Sequence, residues 1–119
     1  IRDMYIDGKL DIISPNLLFY EVINALKYSS LLDQTELNKA ALSLENYGIT
    51  QFPLLGEYLN ITIDIGINHQ ISIYDASYIG LAIIQNTKLI TADKKLKKQL
   101  PKEKKDRIID LIDINFLAD

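Results

Sequence analysis

Four short runs rich in isoleucine and leucine, at residues 11–13, 49–52, 88–91 and 110–114, set the tightest limit on what this chain can fold into. Runs of this length, bounded by Ser, Pro, Asn and Asp, read as short buried strands. The segments between them are longer and carry apolar residues at helical spacing. Ser14 suits an N-cap and Pro15 the first helical position, which predicts a helix running to about residue 30. Asp33 predicts the cap of a second helix over 34–47, closed by Gly48. Pro53 ends the next strand, a helix over 55–67 follows, and Ser72 opens another that extends to about residue 86. Asp93 caps a short helix through Lys98, and Pro101 punctuates its end. Strands alternating with helices predict an α/β fold with a mostly parallel sheet.

Composition agrees with an ordinary packed core. The chain has 119 residues, 48% apolar and 24% charged, with no internal repeat or low-complexity tract, so a single domain over residues 1–119 is expected. With no cysteine, disulfides and thiolate metal sites are excluded, and a cytoplasmic protein is the default expectation. No apolar run approaches the roughly 18 residues that span a bilayer, so no membrane partner is expected. The net charge of −3 argues against a nonspecific nucleic-acid coat. Eight of the 13 Lys and Arg residues nevertheless fall between Lys94 and Arg107. Such a run usually marks a solvated face, yet it can hold a phosphate backbone locally.

Three carboxylates sit inside otherwise apolar stretches: Glu21, Asp75 and Asp93. Asp75 and Asp93 each have a simple structural account. Ser72-Ile73-Tyr74-Asp75 resembles a capping box with Asp in the last place, and an acid in a first helical turn complements the helix dipole. Asp93 can cap the helix that carries the lysines after it. Glu21 has neither explanation. Leu17, Leu18, Asn24 and Ala25 lie three or four residues away, which predicts partial burial on the apolar side of its helix. A buried carboxylate needs a cation. If the three acids converge, their mutual repulsion calls for a hard divalent ion with oxygen ligands, the setting of phosphodiester hydrolysis. His69 reads as a loop or capping residue, while Tyr74 and Tyr78 flank Asp75 and could touch a base, though core or rim packing is the commoner use of such a ring.

Three short motifs, in order, resemble those of the PIN-domain family, and in particular its toxin ribonucleases of the VapC type. They are Glu21-Val22-Ile23-Asn24-Ala25-Leu26, then Tyr74-Asp75-Ala76-Ser77-Tyr78-Ile79-Gly80-Leu81-Ala82, then Leu89-Ile90-Thr91-Ala92-Asp93. The resemblance implies a three-layer α/β/α sandwich with a mostly parallel central sheet. It implies endoribonuclease activity dependent on Mg2+ or Mn2+, an RNA substrate, homodimerisation and a cognate antitoxin protein. Glu21, Asp75 and Asp93 become the catalytic, metal-binding acids, and Thr91 an accessory residue. The family pattern opens with a central strand ending in Asp, and residues 1–8 do not look like it. The expectation is therefore an N-terminally truncated form of a longer protein, or a strand supplied by another chain. Two alternatives stand beside the nuclease. One is a non-catalytic PIN-like interaction module without a complete metal site. The other is a receiver-type signalling domain, which lacks the paired acids and late lysine it requires.

Overall fold

In the computed structural model the described residues are 12–91, 98–100 and 108–110. They fall into two compact units, one spanning Ile12–Pro53 and the other containing every element after Leu54.

The first unit runs β1 (Ile13–Pro15), α1 (Leu17–Tyr28), α2 (Gln34–Asn46) and β2 (Thr50–Phe52). β1 and β2 pair in parallel, with Ile13, Ser14 and Pro15 opposite Thr50, Gln51 and Phe52. Here the structure corrects one expectation. Ser14 and Pro15 belong to the strand, and α1 starts after Asn16, whose side chain makes no capping bond. The ladder explains how a proline fits. The Thr50 N–H donates to the Ile12 carbonyl at 3.3 Å and the Asn16 N–H to the Phe52 carbonyl at 3.2 Å. In a parallel ladder alternate residues bond to a given neighbour, so Pro15 falls between the bonding positions and its missing N–H is not needed there. Ser14 is buried and its hydroxyl has no hydrogen-bond partner among the described residues.

α2 forms as its sequence predicts. The Glu36 N–H donates to Asp33 Oδ1 at 2.8 Å, and the Asp33 N–H donates back to Glu36 Oε1 at 3.2 Å. That reciprocal box satisfies two of the helix's orphan donors. After Tyr47 the chain turns at Gly48 with φ +68°, a left-handed conformation that glycine adopts without a Cβ penalty.

The second unit contains α3 (Gly56–Asn68), α4 (Ile73–Ile84), β3 (Leu89–Thr91) and β4 (Ile108–Asp110). β3 and β4 are again parallel, Leu89 opposite Ile108 and Thr91 opposite Asp110. The last strand begins two residues before the expected run, and residues 111–114 lie outside the described residues. The short helix expected over 93–98 also lies outside them, except for Lys98.

The core of this unit is the α3–α4 interface. Ile65, Ala76, Ile79 and Leu100 are buried together, with Ile61, Ile71, Ile83 and Leu89 packed around them. The two helices approach closely because small residues face large ones. A Cβ on Gly80 would lie 2.8 Å from Thr62 Oγ1, and one on Gly66 would lie 2.9 Å from Ile73 Cδ1. Tyr58, one turn before Thr62, donates its hydroxyl to the Ser77 carbonyl at 2.6 Å. Thr62 is fully buried, and its Oγ1 has no partner among the described residues. No described helix is long and apolar enough to cross a membrane. Parallel pairing flanked by helices makes the fold α/β, as the strand–helix alternation predicts.

Candidate carboxylate site

Asp75 is the best-defined of the three acids. It stands in the first turn of α4, where Ser72 is the N-cap and the Asp75 N–H donates to Ser72 Oγ at 3.0 Å. The box expected here forms only in its Ser72 half, unlike the reciprocal pair that Asp33 and Glu36 make on α2. Aspartate is one methylene shorter than glutamate, so its carboxylate reaches back to the N-cap less readily. The backbone of Asp75 is thereby held while its half-buried side chain is left out of the cap. The next residue, Ala76, is fully buried against the α3–α4 core, and the Ser77 hydroxyl donates to the Tyr74 carbonyl at 2.6 Å. These contacts fix the turn from both sides. The positive end of the helix dipole also lies at this turn, which favours a negative side chain there.

Glu21 lies near the middle of α1 and is exposed, which corrects the expectation of partial burial. Leu17 and Leu18 are half-buried, Asn24 and Ala25 are exposed, and no residue of α1 is fully buried. The desolvation argument for a compensating cation therefore does not apply to Glu21. The apolar residues around it predict a buried face that the helix does not have.

Thr91 ends β3, and Asp93 lies outside the described residues. So does the basic run, apart from an exposed Lys98. Glu21 and Asp75 belong to different units. Among the described residues no three His, Cys, Asp or Glu side chains form a group that would hold a metal. The chemistry of the donor set still suits a hard ion, since all three acids offer carboxylate oxygens and no thiol competes. Several other described acids are committed elsewhere: Asp33 and Glu36 to their capping box, and Asp64 as acceptor from Asn68 Nδ2 at 3.0 Å. His69 is a C-cap, as expected, and its N–H donates to the Ile65 carbonyl at 3.1 Å.

Phe19, Tyr20, Ile23, Asn24 and Lys27 line a shallow recess of about 420 Å³ along α1. Their spacing at i, i+4 and i+8 is the only sequence signal for it, and the same spacing is expected of any core-facing helix.

The sequence pattern of the PIN domain matches residues 3–99. Among solved structures, the crystal structure of PAE2754 from Pyrobaculum aerophilum is similar, with a TM-score of 0.66 and 24% sequence identity. That likeness covers 99% of this chain and 85% of the other, and it speaks to the fold alone. No curated protein matches the chain.

Proposed function

This chain belongs to the PIN-domain family, and on that premise we propose that it is a ribonuclease dependent on Mg2+ or Mn2+, of the toxin–antitoxin kind. PIN domains are in general metal-dependent nucleases, so the class of reaction is hydrolysis of a phosphodiester. The single observation that carries the reading is the span of the family match. Residues 3–99 include Glu21, Asp75 and Asp93, each within a motif that resembles the family's own.

In this reading the three carboxylates are the metal-binding acids. A bound divalent ion would lower the pKa of its water and neutralise charge developing on the phosphoryl oxygens. The chain's own part is to keep oxygen ligands ready. Ser72 and the buried Ala76 hold the turn that carries Asp75, and the start of α4 offsets that residue's negative charge. Thr91, at the end of β3, comes just before Asp93 in the chain and is the accessory candidate. The basic residues from Lys94 to Arg107 supply cations for an RNA backbone. The VapC-like motifs support a cognate antitoxin and a homodimer, and the lack of cysteine accords with a cytoplasmic setting.

The test joins metal binding to cleavage. Calorimetry with Mn2+ should show a site that Asp75→Asn and Asp93→Asn each weaken. Cleavage of RNA in Mg2+ or Mn2+ should disappear in both variants while their circular dichroism stays native. Undiminished cleavage in either variant rules out the proposed acids. Native folding with no metal binding at all would leave a PIN-like interaction module instead.

A further inference from the structure

Two of the proposed acids share a neighbour that metal binding does not require. Glu21 follows Tyr20 on α1, and Asp75 follows Tyr74 on α4. Both tyrosines lie largely in solvent, Tyr20 at 76% exposure and Tyr74 at 65%. An exposed tyrosine is ordinary by itself. Others in this chain have visible uses: Tyr28 has the Lys27 ammonium 5.7 Å from its ring centre, and Tyr58 gives its hydroxyl to the Ser77 carbonyl. Tyr20 and Tyr74 are set apart by each being followed directly by one of the proposed metal-binding acids. Consecutive helical residues leave the axis about 100° apart, so each ring stands beside its carboxylate rather than over it.

The surroundings of Tyr20 extend the observation. The recess on α1 is lined by Phe19, Tyr20, Ile23, Asn24 and Lys27, and its surface is almost wholly apolar. An apolar recess beside an aromatic ring suits the face of a base, which can stack on that ring. Its volume of about 420 Å³ is ample for one nucleotide.

We propose that Tyr20 and Tyr74 are base-stacking residues, each holding an unpaired RNA base beside the acid that follows it. This rests on the ribonuclease reading above and adds residues that reading does not use. Bases inside an A-form duplex are stacked on one another and closed to such rings, so the tyrosines favour unpaired segments.

The experiment titrates the intact chain into a short oligoribonucleotide carrying one fluorescent adenine analogue, whose emission falls on stacking. The unmodified protein, Tyr74→Phe and Tyr20→Phe should quench it. Tyr74→Ala and Tyr20→Ala should bind about five- to 150-fold more weakly, with the quench reduced, since a stacked base contributes that much to affinity. Unchanged affinity and quench in both alanine variants overturn the proposal, even if cleavage persists. Phenylalanine variants as weak as the alanine ones overturn it too, because the ring would then not be the operative part. Tyrosine-dependent quenching without cleavage in Mg2+ or Mn2+ upholds the stacking role and removes the nuclease.

Discussion

Replacing Gly80 with alanine sets two known effects of opposite sign against each other. Alanine is favoured over glycine inside a helix by about 1 kcal/mol. The new methyl, however, lands 2.8 Å from Thr62 Oγ1, with Ile61 Cγ2 at 3.4 Å and Tyr58 Cε1 at 3.5 Å. Thr62 is fully buried and β-branched, so its side chain is stiff at χ1 and does not turn aside freely. The helices must part, and overpacking of this kind costs about 1–3 kcal/mol. Set against the helix gain, this leaves a net loss of up to about 2 kcal/mol, or several degrees in Tm at roughly 3–5 °C per kcal/mol for a chain of 119 residues. Urea denaturation of a double-mutant cycle checks the cause. Thr62→Ala removes the obstructing atoms and should recover most of the loss in the Gly80→Ala background. Thr62→Val keeps the bulk and should not. By itself Thr62→Val should be close to neutral or stabilising, because it removes a buried hydroxyl that lacks a partner among the described residues. A Gly80→Ala variant more stable than the parent, with no coupling to Thr62→Ala, would refute the close approach of α3 and α4.

Two further predictions concern the same unit. Ser72→Ala should cost about 1 kcal/mol by removing the N-cap of α4, with Ser72→Asp retaining stability; under the proposed function, thermal melts and cleavage assays run together should show activity falling more than stability. Burial pushes the Tyr58 phenol above its ordinary value of 10.0, with the Ser77 side chain opposing the shift. A group whose pKa is raised by folding contributes its full stability below the unfolded value and loses it as pH climbs through the folded one. Stability should therefore fall above about pH 10, and Tyr58→Phe should show a shallower fall in alkaline denaturation curves. An identical alkaline slope in the two proteins would count against the burial of this phenol.

Much of the local structure is legible residue by residue. Asp33, Glu36 and Gly48 bound α2 because capping bonds and a left-handed turn depend on neighbours within a few positions. Ser72 opens α4 for the same reason. The site is only partly legible. The motifs that resemble the PIN family mark Glu21, Asp75 and Asp93, but apolar spacing misplaces Glu21. Periodicity records which side of a helix is apolar, and it does not record whether anything covers that side. α1 has an apolar stripe and no fully buried residue.

The sequence alone determined the number and kind of most elements, their caps and the family, since these rest on short-range chemistry and on motif order. Only the tertiary structure decided that Ser14 and Pro15 extend a strand, because the deciding bonds come from Ile12 and Asn16 to partners more than thirty positions away. It also decided why Gly66 and Gly80 are glycines. Each is an ordinary small residue until the opposing helix brings Ile73 or Thr62 to within 3 Å of where a Cβ would stand.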